Sequence, residues 1–184
     1  MPGEQWEKAF ELAIDQYGFV TVADMRKLGE DPTILRMWLK RGKVERAGYG
    51  IYRFRQVPPT PLDPYMLATL WPEAKGVISH HSALELHGLC DINPAVIHLT
   101  IPPQYRLRRR GGEFYEVHHE HLAADQVAWH EGIRIVTALE SIRQGLASGV
   151  PTHLLEQAIN TCKKTGLIQA KDLKRLKAQL ADKR

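Results

Sequence analysis

Apolar residues in the first third of the chain recur at helical spacing and stop at glycines. Trp6, Phe10, Ala13, Ile14 and Tyr17 line one face of a predicted helix that ends at Gly18. Phe19 and Val20 form a short extended step. Thr21, with Asp24 three residues on, has the spacing of a capping box and opens a second helix, VADMRKL, which stops at Gly29. Asp31 is a natural N-cap, and Pro32 sits at the first helical position, where its missing N–H costs nothing. The third helix they start, TILRMWLKR, runs to Gly42. Its Leu35, Trp38 and Leu39 make an apolar stripe, while Thr33, Arg36, Lys40 and Arg41 fall largely on other faces. KVERAGYGIYRFR then predicts two short strands around a Gly48-Tyr49-Gly50 turn, with Val44, Ile51, Tyr52 and Phe54 packing inward.

The stretch VPPTPLDP, residues 57–64, holds Pro58, Pro59, Pro61 and Pro64. Prolines at that density remove backbone donors and interrupt both helix and sheet, so a linker is expected there. It divides the chain into residues 1–56 and 65–184. The second part opens with a helix around Tyr65, Met66, Leu67 and Leu70, then an extended Val77-Ile78 and a helix capped by Ser79 that ends at Gly88. Residues 96–102, 114–119 and 133–136 are rich in branched and aromatic side chains and predict strands of an antiparallel or mixed sheet. From Thr137 on the pattern is helical, with stops at Gly149 and Gly166. The expected fold class is α+β: an N-terminal helix-turn-helix with a hairpin wing, then a small sheet with C-terminal helices.

Charge sharpens this picture. The chain carries a formal net charge of +4, but residues 36–55 alone hold Arg36, Lys40, Arg41, Lys43, Arg46, Arg53 and Arg55 against Glu45. A one-sided field of that kind attracts phosphates, and it coincides with the predicted third helix and wing. Double-stranded DNA is therefore the expected partner, with Arg36 able to fork onto a guanine and Thr33 placed for a thymine methyl or a phosphate. A solvated basic face is the alternative. Two further clusters lie downstream. Arg106, Arg108, Arg109 and Arg110, beside Gly111 and Gly112, suggest a mobile hairpin loop for nucleic acid, an acidic partner or solvation alone. Residues 163–184 hold eight basic side chains, among them Lys171, Lys174 and Arg175, against Asp172 and Asp182. That helix can pack Leu173, Leu176 and Leu180 while presenting the charge outward.

Other chemistry finds little local support. Cys90 and Cys162 have no metal or disulfide spacing and read as buried small apolar residues. His80, His81 and His87, and likewise His118, His119 and His121, do not give ligands on one face, so no metal is expected from them. No nucleophile elbow, phosphate loop or paired nuclease carboxylates occur, so no catalytic residue, cofactor or enzymatic activity is expected. The N-terminus is too acidic and amphipathic for a signal peptide, and no apolar run has membrane-spanning length. A cytoplasmic protein is the expectation.

GFVTVADMRKLGEDPTILRMWLKRGKVERAGYGIYRF resembles the N-terminal winged helix of AbiEi-type antitoxins of abortive-infection (type IV) toxin-antitoxin systems. VISHHSALELHGLCD, IHLTIP and GIRIVTALESI, in that order, resemble the second domain of the same family, so the likeness runs over about residues 5–165. At GIRIVTALESIRQGLA, Glu140 and Ser141 stand where relatives carry a different helix motif, and no role is carried onto that stretch. The resemblance implies a transcriptional repressor of its own operon that also counteracts a nucleotidyltransferase-like toxin. In that family the winged helix binds operator repeats and the second domain is linked to antitoxicity. A solitary winged-helix regulator or protein-interaction adaptor is the alternative reading.

Overall fold

The structure is a computed structural model that describes residues 3–107 and 111–183. The protein is mixed α+β and forms two compact units. One comprises Met1–Gly76 with Leu107–Gly111, the other Val77–Arg106 with Gly112–Arg184.

The first unit is built on punctuation that the sequence states locally. Helix α1 (Glu4–Asp15) buries Ala9 and Ala13 and ends where Tyr17 and Gly18 adopt positive φ, with Gly18 N–H returning to the Ala13 carbonyl at 2.6 Å. Strand β1 (Phe19–Thr21) leads into α2 (Val22–Lys27) through a complete capping box. Asp24 N–H donates to Thr21 Oγ1 at 3.0 Å, and Thr21 N–H donates to Asp24 Oδ2 at 2.9 Å. Helix α3 spans Ile34–Lys40, starting later than expected. Asp31 does accept from Thr33 N–H at 2.9 Å, but the first turn closes through short-range bonds such as Leu35 N–H to the Pro32 carbonyl at 3.2 Å, so regular α-geometry begins only at Ile34.

Strands β2 (Val44–Gly48) and β3 (Ile51–Phe54) form the expected hairpin, and β1 adds to its other side, giving an antiparallel sheet in the order β1-β3-β2. Val20, Met25, Leu35, Val44 and Phe54 are fully buried. Over them lies an aromatic cluster in which Trp6 meets Trp38 edge-on at 4.8 Å and Phe54 at 4.7 Å, geometries favoured by the ring quadrupoles.

The proline-rich segment is fastened to this unit. Arg53 donates to the Val57 carbonyl at 2.9 Å and pairs with Asp63 at 3.1 Å, and Thr60 Oγ1 donates to Asp63 at 2.8 Å. Accordingly helix α4 (Asp63–Leu70) groups with the first unit, and the division falls at Gly76/Val77 rather than at 57–64.

The second unit centres on a five-stranded mixed sheet in the order β6-β5-β4-β8-β7, formed by β4 (Val77–Ile78), β5 (Ile97–Ile101), β6 (Tyr115–His119), β7 (Val127–His130) and β8 (Ile133–Val136). β5 and β6 are parallel, from Ile97↔Tyr115 to Ile101↔His119. Parallel neighbours need a crossover of about a dozen residues, so the segment with Arg106 is a crossover and not the expected hairpin loop. β7, absent from the sequence reading, pairs with β8 through a tight turn in which Glu131 and Gly132 both have positive φ.

Helix α5 (His80–Leu86) follows β4, and α6 (Ala138–Ser148), α7 (Thr152–Thr165) and α8 (Ala170–Ala181) follow the sheet. Leu84, Ile142, Leu155, Ile159, Cys162, Leu176 and Leu180 are among the residues of their shared core. Gly145 makes the close approach possible, because a Cβ there would stand 3.1 Å from Leu155 Cδ2 and 3.2 Å from Leu84 Cδ1.

Candidate nucleic-acid interface

Helix α3 is held by one face and open on the other. Leu35 and Trp38 are buried in the first unit's core, and Ile34 and Leu39 pack partly against it. Thr33, Arg36, Met37 and Lys40, spaced three, four and seven residues along, lie exposed in one stripe. Arg41 and Lys43 continue the exposed cations past the end of the helix. The burial of Leu35 and Trp38 therefore decides which side chains face water, and Arg36 and Lys40 are among them.

The remaining candidates divide. Arg46 and Arg55 on the hairpin are exposed. Arg46 Nε reaches the Gly48 carbonyl at 3.4 Å, and Arg55 lies 3.9 Å from Glu45 in a solvated pair that contributes little. Lys43 is exposed, with its ammonium over the Trp6 ring, 5.0 Å from the ring centre, a cation–π contact at the edge of the aromatic cluster. Arg53 departs from the expectation. Its side chain is 11% exposed and committed to Val57 and Asp63, so it braces the proline-rich segment instead of offering its charge to phosphates. Thr33 is exposed, but its hydroxyl donates to Asp31 Oδ2 at 2.7 Å. That bond and the Thr33 N–H hold the Asp31 carboxyl below its usual range. Tyr49, at the tip of the hairpin, is 65% exposed and is an addition that charge counting missed.

Residues 7–55, the span that carries this face, match the family model described as transcriptional regulator, AbiEi antitoxin. Over those residues the chain is similar to AbiEi antitoxins. No curated protein matches the chain. The chain is also similar to the crystal structure of the RV2827C protein from Mycobacterium tuberculosis, with a TM-score of 0.56 and 18% identity over 96% of this chain and 72% of that one. At that identity the likeness concerns the fold.

In the second unit Arg106, Lys171, Lys174 and Arg175 are exposed, the last three on α8 opposite the buried Leu173, Leu176 and Leu180. Arg108, Arg109 and Arg110 lie outside the described residues. Lys183 is turned back, its ammonium donating to the Leu146 carbonyl. Cys90 and Cys162 are buried free thiols, and burial pushes the Cys162 thiol up to about 11, which keeps it protonated. Among the described residues no helix is long and apolar enough to cross a membrane. The histidines behave differently from their sequence spacing. His80 and His81 of α5, His98 of β5 and His118 of β6 come together, whereas His119 and His121 remain exposed.

Proposed function

We propose that this protein is a DNA-binding transcriptional repressor and the antitoxin of a toxin-antitoxin pair. It autoregulates its operon through the first unit, acting as a winged helix-turn-helix, and counteracts a nucleotidyltransferase-like toxin through the second. The observation that carries the reading is the exposed stripe Thr33, Arg36, Met37 and Lys40 on a helix whose opposite face is buried, within a segment of AbiEi type. Docked in a major groove, α3 places Arg36 toward base edges, with Lys40, Arg41 and Lys43 near phosphates, while Arg46 and Arg55 of the hairpin reach the flanking backbone. The hairpin is the wing of this arrangement, with Tyr49 exposed at its tip. No step of this function requires a cofactor or a catalytic group, and the protein acts in the cytoplasm.

The exposed cations of α8, with Arg106, suit a toxin surface lined by carboxylates. Such complementarity sets association rate and specificity more than affinity.

The test uses the full chain. Replacing Arg36, Lys40 and Arg41 together with Ala should lower operator affinity by about 100-fold and flatten the dependence on salt, each lost phosphate contact reducing the slope by about 0.9. Arg36→Ala alone should also relax sequence preference. In cells expressing the toxin, the triple variant should still rescue growth while losing repression. Undiminished operator binding by the triple variant would remove α3 from the interface. Rescue that disappears together with DNA binding would make the two activities one.

A further inference from the structure

The second unit gathers imidazoles and a carboxylate where DNA recognition has no use for them. His80 opens α5 in the left-handed region, at φ 50, a conformation that costs a non-glycine residue energy and is held by its surroundings. Its N–H donates to Gln144 Oε1 at 2.9 Å, and Gln144 Nε2 donates to Glu120 Oε2 at 3.2 Å, so one amide of α6 positions both the strained histidine and the carboxylate. His80 Nδ1 lies 3.0 Å from Ser79 Oγ, which also accepts from Thr100 Oγ1 at 2.9 Å. That leaves Nε2 facing Glu120 Oε1 at 3.6 Å. This distance is too long for a hydrogen bond. It is close to the separation of about 3.4 Å that two ligand atoms take around a tetrahedral zinc ion with bonds of about 2.0–2.1 Å. One ligand atom from each of His80, His118 and Glu120 lies within 4.8 Å of the others, and binding one ion requires the His118 ring, stacked on His80 at 3.5 Å, to tilt so that both in-plane lone pairs point at it.

We propose that His80, His118 and Glu120 bind a single divalent ion of the zinc class. Two imidazole nitrogens and a carboxylate oxygen are a donor set for zinc rather than for calcium or magnesium, which take oxygens, or for copper(I), which favours sulfur. A solvent water fills the fourth position. Glu120, with its side chain 44% exposed, gives the ion a way in from water, while His80 is 5% exposed and holds the inner side. His98 is a positioning residue: its Nδ1 lies 3.0 Å from His118 Nε2 and fixes the ring, as outer partners of metal-binding histidines do.

The experiment strips the full-length protein with a chelator and titrates it with zinc chloride by calorimetry and against a chromogenic competitor. Cobalt(II) absorption reports the coordination geometry. One equivalent should bind, with magnesium producing no signal. Glu120→Gln, a change at an exposed position, and His118→Ala should each weaken binding by about tenfold or more, whereas His153→Ala on exposed α7 surface should not. His98→Ala should weaken binding by about tenfold with the stoichiometry kept and the cobalt spectrum shifted. Circular dichroism of each metal-free variant separates a lost ligand from a lost fold. An absence of stoichiometric binding, or binding that Glu120→Gln leaves unchanged in a folded protein, overturns the proposal.

Discussion

In the first unit the cations of α3, with Arg46 and Arg55 of the hairpin, stand exposed to water, and the core beneath holds four aromatic rings. In the second unit neutral imidazoles are drawn inward and stacked, with a carboxylate and an amide closing the group. Both arrangements are collections of potentially charged nitrogens, and they differ in the dielectric around them. Exposed guanidinium and ammonium groups keep their charge at little cost and act at a distance on a polyanion, with a reach set by salt. Imidazoles packed together cannot afford charge, so they act only at contact, as lone pairs or hydrogen-bond donors. The comparison teaches that nitrogen-rich side chains make two unlike surfaces, one of long range and low precision, the other of short range and fixed geometry.

The largest expected effect tests the scaffold beneath the exposed cations. Phe54 is fully buried against Trp6, Phe10 and Trp38, and Phe54→Ala should cost about 3–5 kcal/mol in denaturant unfolding, with loss of DNA binding at physiological temperature. A cost under about 1 kcal/mol would mean that the aromatic cluster does not hold α3 in place.

Arg53 sharpens the contrast within the first unit. Because it is paired inward, Arg53→Ala should lower stability by about 1–3 kcal/mol through the carboxylate left behind, and leave the salt slope of DNA binding unaltered. Arg55→Ala should do the reverse, lowering the slope by about 0.9 with little change in stability. A salt slope that falls in Arg53→Ala would return that residue to the interface.

The smallest effect concerns His87, whose Nε2–H donates to the Val136 carbonyl at 2.8 Å. Burial holds its imidazole below the ordinary value of 6.5, although the carbonyl pulls the other way. The folded state therefore resists protonation that the unfolded chain accepts. The stability is fully present above about pH 6.5 and declines as pH falls toward the depressed folded value. His87→Gln keeps a donor without a titrating ring and should make the urea midpoint less dependent on pH between 7 and 5. An unchanged pH profile would show that His87 is not held neutral by folding.

How much of this was legible follows from distance along the chain. The capping box of Thr21 and Asp24, the stops at Gly18 and Gly29, and the inward residues of the hairpin are local signals, and each appears in the structure. The exposure of Arg36 and Lys40 was legible because the stripe of Leu35 and Trp38 lies in the same helix. The pairing of Arg53 with Asp63 was not, since it crosses a proline-rich segment whose path no periodicity predicts. Nor was β7, a short strand with an exposed Trp129 and a turn that sets Glu131 in a conformation the residue rarely adopts. The histidine cluster is the extreme case. Its members come from α5, β5 and the end of β6, and only the parallel pairing of the two strands, which places His118 beside Thr100, brings them to one face.

The two residues of β4 carry a consequence for the order in which the chain assembles. This strand sits between β5 and β8, and its link to β8 is the single pair Ile78↔Ile135. Its other neighbour is reached after a short helix and loop, but β8 arrives only when nearly the whole strand-forming region has been made. Closing so long a loop for so small a ladder is an entropic uphill step. The first unit, whose pairings are local, can nucleate from its hairpin alone. The second unit is thus expected to be the slow phase of refolding, with the central strand locking among the last events.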